Sequence, residues 1–306
     1  MKQVRWGKTD RQVPAVIMGC MRINTISEKD VTKMIDTAME ENINFFDHAD
    51  IYGAGACEEI FGKAFRRLNV KREDIFIQSK CGIVPGLMYD FSKEHIIRSV
   101  DASLKRIGTE YLDALLLHRP DALMEPEEVA EAFDELEQAG KVRYFGVSNQ
   151  KPAQMELLKR CVKQPLCANQ LQFGLAHTGM IQSGIEMNMM NTGSADRDGS
   201  VLEYCRLHDV TVQAWSPFQY GMFEGVFLGN EKFPELNKKV DELAEKYGVT
   251  NTTIAAAWIL RHPANIQVLA GTMNPVRLKE ICKAADICLT RKEWYELYLA
   301  AGNMLP

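Results

Sequence analysis

Short apolar runs alternate along the chain with longer stretches whose apolar positions recur every three or four residues. The runs Val16–Gly19, Asn44–Asp47, Ile75–Ser79, Ala114–Leu117, Val142–Val147, Leu166–Asn169, Thr211–Trp215 and Gln267–Ala270 predict eight short strands. Residues 114–117 are apolar throughout, the pattern of a parallel strand covered on both faces. Between the runs, Val31, Met34, Ile35 and Ala38 repeat at helical spacing and predict a helix over 28–40, with Ser27 as its N-cap and Asp30 in its first turn. The same spacing predicts helices over 58–68, 92–106, 126–138, 152–162, 199–208, 233–247, 252–261 and 275–285. Pro126 opens one of them and Gly140 stands just beyond its end, where each residue type belongs.

Eight strands with helices between them predict an α/β fold, a (β/α)8 TIM barrel forming one domain over residues 1–306. The surplus has a place. Residues 1–14 predict a hairpin turning at Gly7–Asp10 and capping the barrel bottom. Segments 174–200 and 217–233 predict long rim loops, the first with a helical turn near 185–190, and 291–301 an extra C-terminal helix.

Charge and composition narrow the function. Thirty-six Lys and Arg against 41 Asp and Glu give a net charge of −5, which excludes a general nucleic-acid binder. The most apolar segment, 253–260, is far shorter than the roughly 20 residues of a membrane helix. The polar stretch Met1–Asp10 shows no leader pattern, so the expectation is a cytoplasmic protein without a membrane contact. None of the eight cysteines forms C-x-x-C or falls at zinc-site spacing, which predicts free, mostly buried thiols and no metal.

Barrel chemistry sits where the strands end. Asp47 closes the second run, with Tyr52 in the loop after it; Lys80 closes the third and His118 the fourth. Singly each has an ordinary reading: a turn aspartate, a half-buried aromatic, a solvated cation, a core histidine. Together they suit proton transfer by a tyrosine. A phenol titrates near ~10, and a neighbouring ammonium favours its ionised form. Lys80 supplies that charge, Asp47 holds Lys80, and His118 orients a carbonyl. Such a site lacks only a hydride source, which a nicotinamide provides. His48, adjacent to Asp47, is expected to point away from the rim.

The stretches Phe46-Asp-His-Ala-Asp-Ile-Tyr-Gly53, Ser79-Lys-Cys-Gly82, Leu117-His-Arg-Pro-Asp121 and Gly140-Lys-Val-Arg-Tyr-Phe-Gly-Val-Ser-Asn149 resemble the aldo-keto reductase family. With Trp215-Ser216-Pro217 and the segment 271–280, the resemblance covers almost the whole chain, and it is strongest to the bacterial YdhF-like branch. It implies an oxidoreductase that reduces a small aldehyde or ketone, with Tyr52 as general acid, Lys80 and Asp47 as its tuning pair and His118 as carbonyl orienter. The implied cofactor is NADP(H), with NAD(H) second. It would lie along the rim without a Rossmann domain, and no G-x-G-x-x-G follows an early strand.

By the same resemblance, Ser148, Asn149 and Gln170 hold the carboxamide, and Trp215 stacks on the nicotinamide. Gly19, Cys20, Met21, Asp47, Ser216, Pro217 and Phe218 adjoin the cofactor. Gly271, Thr272, Met273 and Arg277 meet its adenosine phosphate, helped by the dipole of the helix at Pro275, and Glu280 faces the adenine. Asn149 also reads as a cap for the helix at Pro152. Met21 replaces an aromatic found in many relatives, and Gly271 stands where many carry Lys. Met21, Met88, Tyr89, Phe218 and Tyr220 are candidates for the substrate lining. The expected oligomeric state is a monomer or small homo-oligomer. Two other classes compete with this reading: a nicotinamide-binding regulatory or partner subunit with slow turnover, and a metal-dependent barrel hydrolase. The hydrolase would need clustered ligands, and no H-x-H ends a strand.

Overall fold

The computed structural model describes residues 1–306. Eight parallel strands close into a barrel: β1 (Val16–Gly19), β2 (Phe45–Asp47), β3 (Phe76–Cys81), β4 (Leu112–Leu117), β5 (Val142–Ser148), β6 (Leu166–Gln172), β7 (Thr211–Trp215) and β8 (Ile266–Ala270). Each pairs with its sequence neighbours, with one register shift between β5 and β6 at Leu166–Asn169, and β8 closes on β1 through Val268–Val16 and Ala270–Met18. This is the TIM-barrel fold.

The helices form where local signals and apolar stripes agree. Helix Glu28–Glu40 is capped by the Ser27 side chain, which accepts from Asp30 N, and buries Val31, Met34, Ile35 and Ala38. Ser92, Thr250 and Thr290 cap their helices in the same way, and Glu293 completes a capping box with Thr290. Eighty buried hydrophobic residues join in one continuous core.

The N-terminal hairpin, Gln3–Arg5 against Gln12–Pro14, closes the bottom. Its fully buried Trp6 packs 5.5 Å from Phe45 and 5.2 Å from Phe76, rings at the N-terminal ends of β2 and β3. Gly7 N donates to Thr211 Oγ1 at 2.8 Å. Its φ of +53° and the Cys167 Cα 2.5 Å from where a Cβ would stand leave only glycine possible there.

Several details depart from the sequence reading. The helical turn in segment 174–200 lies at Gly179–Ile185, with a 3-10 turn at Thr192–Ser194, and not at 185–190. Its anchor is the buried Glu186 carboxylate, which accepts from Gln182 Nε2 at 2.9 Å and Asn191 Nδ2 at 2.7 Å. Segment 217–233 holds a small hairpin, Gln219–Tyr220 against Gly225–Val226. A further hairpin, Ile83–Val84 against Met88–Tyr89, follows β3. No helix is long and apolar enough to cross a membrane. All eight cysteines are free.

Candidate active site

The two-residue period of each strand decides which side chains reach the barrel axis. On β2, Phe46 packs outward on Phe61 of the helix Ala56–Phe65, at 5.1 Å. His48 lies edge-on to the same ring at 4.6 Å, with neither ring nitrogen partnered. Burial, seconded by the charge of Lys80, pushes its pKa down to about 3. Asp47 points inward. On β3, Ser79 turns outward and donates to Glu58 Oε1 at 2.7 Å, while Gln78 and Lys80 point inward.

Lys80 is fully buried. Its Nζ lies 2.7 Å from both Asp47 carboxylate oxygens, donates to the His48 carbonyl at 2.7 Å, and sits 3.3 Å from Tyr52 Oη. Tyr52 is returned over Lys80 by the tight turn Tyr52–Gly55, in which Gly53 and Ala54 are left-handed at φ 58° and 53°. The left-handed alanine costs about 1 kcal/mol. The turn is held from behind by the half-buried Arg106, which pairs with the buried Glu58 at 2.7 Å.

The rings of Tyr52 and His118 meet at 83°, with centroids 6.1 Å apart. Burial lowers the His118 pKa well below the usual imidazole value, and the charges of Lys80 and Arg119 act in the same direction. Its ring is therefore neutral, and Nδ1 is buried without a partner. The phenol differs from the sequence expectation. Burial raises the Tyr52 pKa, and Lys80, its charge answered by Asp47, only partly offsets this. For Lys80, burial favours the neutral amine, but Asp47 and Tyr52 outweigh it and hold the ammonium. A protonated phenol and a neutral imidazole thus stand side by side, a pair that can donate to one carbonyl oxygen.

Beneath Asp47 runs a chain of buried amides. Gln78 Nε2 donates to Asp47 Oδ1, and Gln170 Nε2 does so at 3.0 Å. Both also donate to Gln213 Oε1, at 2.9 and 3.0 Å. Gln213 Nε2 passes the chain back to Gln78 Oε1 and on to Gln267 Oε1, whose own Nε2 reaches the Pro14 carbonyl at 2.7 Å. Five strands are tied in this way, from the Asp47 carboxylate at the rim to the barrel floor.

Above the Tyr52–His118 pair lies a cavity of about 900 Å³. Gly19, Met21, Asp47, Tyr52, His118, Ser148, Asn149, Gln170, Trp215, Ser216, Pro217, Phe218, Gly271, Thr272, Met273 and Arg277 all line it. Cys20 and Glu280 do not. The Cys20 thiol is buried and turned to the Met18 carbonyl, and Glu280 sits on helix Pro275–Lys283 away from the wall. Lys80 lies beneath the wall and meets the cavity only through its partners. Of the expected substrate lining, Met21 and Phe218 contribute, whereas Met88, Tyr89 and Tyr220 stand outside. Met88 and Tyr89 project to solvent from the hairpin after β3.

Trp215 is fixed by its Nε1, which donates to Asn149 Oδ1 at 3.1 Å; Asn149 Nδ2 donates in turn to Ser148 Oγ at 2.8 Å. Asn149 is thereby engaged, and the helix after it takes Lys151 as its N-cap instead. At the opposite wall, Asn274 Oδ1 accepts from Val276 N and Arg277 N. The first-turn amides expected to face a phosphate are thus occupied by a side-chain cap. Arg22, absent from the sequence expectations, lines the wall and donates to the Gly271 carbonyl at 2.6 and 3.1 Å. A Cβ on Gly271 would stand 3.3 Å from Arg22 Nη2, so the guanidinium occupies the space beside that missing side chain. Gln78, Gln213 and Gln267 were also missed, since each reads in sequence as an ordinary polar strand position.

A barrel carrying this buried Lys–Asp–Tyr group at its rim is matched over residues 15–298 by the family model described as the aldo/keto reductase family. The chain belongs to that family, whose members are oxidoreductase enzymes. It is 33% identical to the 6-dehydroglucose reductase of Agrobacterium fabrum (95% of this chain, 96% of that one). It is 31% identical to the oxidoreductase YdhF of Escherichia coli (93% and 92%). Among solved structures, an aldo/keto reductase from Klebsiella pneumoniae in complex with NADP and acetate superposes with a TM-score of 0.79 at 26% identity, covering 99% of this chain and 96% of that one.

Proposed function

We propose that the protein reduces a small aldehyde or ketone to the alcohol with NADPH, using Tyr52 as the proton donor. The observation that carries this reading is the buried ammonium of Lys80, held by Asp47 and set 3.3 Å from Tyr52 Oη. Tyr52 gives its proton to the carbonyl oxygen, and Lys80 stabilises the phenolate left behind. Asp47 keeps Lys80 charged and in place. The neutral His118 donates to the same oxygen and fixes the carbonyl's direction.

The residues present suit a nicotinamide dinucleotide. The cavity is large enough at about 900 Å³, and on its β8 side Arg22 and Arg277 line it, while its single carboxylate, Asp47, is already paired with Lys80. Bound there, the nicotinamide supplies the hydride. Trp215, held by Asn149, offers its ring face. The Gln170 side-chain oxygen remains for the carboxamide, the Gln170 amide nitrogen being committed to Asp47 and Gln213; Ser148 Oγ, which donates to the Gln170 main-chain carbonyl at 3.0 Å and accepts from Asn149, keeps one acceptor lone pair for it. Gly19, Met21, Ser216, Pro217, Phe218, Gly271 and Met273 shape the channel. Arg22, Thr272 and the unpaired Arg277 hold the phosphates, which favours NADPH over NADH. Similarity to a 6-dehydroglucose reductase and to an NADP-bound reductase supports this direction. Titration with NADPH and NADH, followed by intrinsic Trp fluorescence, tests the cofactor. NADPH is expected to bind at least about tenfold more tightly, and Arg277→Ala to weaken NADPH about tenfold while sparing NADH. Equal affinities overturn the NADPH assignment, and no binding of either overturns the function.

A further inference from the structure

Arg119 follows His118 directly and lines the same cavity. Its side chain takes part in no ion pair or side-chain hydrogen bond, and its guanidinium carbon lies 5.8 Å from the centroid of the Trp215 ring. A carboxylate stands two residues away, yet Asp121 is occupied elsewhere: Oδ2 accepts from Phe91 N at 2.9 Å and Oδ1 from Leu123 N at 2.8 Å. The other carboxylate in the wall, Asp47, is bound to Lys80. The remaining two arginines of the cavity differ in place. Arg22 and Arg277 stand by Gly271 and the helix Pro275–Lys283, on the β8 side. Arg119 stands at the end of β4, beside the ring that would orient the carbonyl. A guanidinium presents a planar fork of donors that matches paired oxygen acceptors. Met21, Ile51, Ile83 and Phe223, which share the cavity wall, offer no acceptor side chain.

We infer that Arg119 is a specificity-determining residue that binds paired oxygen acceptors on the substrate, at the end remote from the reacting carbonyl. The inference rests on the carbonyl-reductase reading and names the substrate class within it: aldehydes or ketones carrying a carboxylate or vicinal hydroxyls, in preference to bare alkyl carbonyls. The carbonyl oxygen lies between Tyr52 and His118, and the oxygen-bearing tail turns to Arg119. Because this contact is present before and during reaction, its loss raises KM and leaves kcat nearly unchanged.

The test compares 4-oxobutanoate, glyceraldehyde and butanal as substrates of the native protein, Arg119→Met and Arg119→Lys, each saturated with NADPH. The native protein should favour one or both oxygenated aldehydes over butanal. Arg119→Met should raise KM for those by about 10- to 100-fold with kcat and butanal kinetics unchanged. Arg119→Lys should restore part of the loss, keeping charge without the fork. The larger effect, on 4-oxobutanoate or on glyceraldehyde, tells carboxylate from hydroxyl recognition. NADPH affinity measured separately should be the same in all three proteins. Butanal reduced as efficiently as the others, or an equal change for all three in Arg119→Met, overturns the inference while the reductase reading stands. No reduction of any of them by the native protein counts against that reading itself.

Discussion

Lys80 Nζ lies 2.7 Å from both oxygens of Asp47, and this fully buried pair links the side chains of β2 and β3 beneath the cavity, where their backbones already pair. Removing one partner strands the other in a low-dielectric interior. Lys80→Met is therefore expected to destabilise the protein by about 3–5 kcal/mol. Adding Asp47→Asn should recover much of that stability and none of the carbonyl reduction. Equilibrium unfolding in urea with parallel turnover assays checks both. A single variant as stable as the native protein contradicts the buried-pair account.

Gln213 is the hub of the amide chain. Gln213→Leu leaves Gln78 Oε1 and Gln267 Oε1 without their donors, inside the barrel. Two unmet buried acceptors cost about 2–4 kcal/mol together. Gln213 does not line the cavity, so NADPH affinity should hold while the unfolding midpoint falls. Loss of affinity with unchanged stability would assign Gln213 a different role.

Asp50 precedes the Tyr52 turn, and its Oδ1 is buried without a partner. Burial raises its pKa to about 7; the Glu58 carboxylate adds to this and Arg106 opposes it. The folded protein thus binds a proton there more tightly than the unfolded chain does, and stability from this group is lost as pH rises from about 4 to about 7. Asp50→Asn should be neutral near pH 4 and stabilising at pH 8, by about 2 kcal/mol once its partial exposure is discounted. Unfolding curves at both pH values check the sign. A gain at pH 4 that vanishes at pH 8 would reverse it.

The alternation of strands and helices was legible in the sequence, down to both ends of helix Glu28–Glu40, because cap and apolar stripe agree there. The strand ends were less so. β3 runs on through Lys80 and Cys81, and β6 through Gln170 to Gln172, where apolar patterning stops. Those polar residues are buried because the barrel interior satisfies them, a pairing across strands that no local pattern carries. Helix Gly179–Ile185 was hidden by Gly179 and Gly184, which weaken any helical signal. Asp47, Tyr52, Lys80 and His118 could be singled out because an ionisable residue recurs at successive strand ends. Arg22 and Arg119 could not: their meaning depends on Gly271 lying opposite one and Asp121 being engaged beside the other.

The proposed reaction turns on Tyr52 as the proton donor. Tyr52→Phe removes one oxygen and keeps the ring against His118, so NADPH affinity should be unchanged. The decisive measurement is the single-turnover rate of carbonyl reduction by NADPH-loaded Tyr52→Phe beside the native protein. A fall of about 10²–10⁴-fold with intact cofactor binding is the expected result. Reduction at the native rate would contradict it.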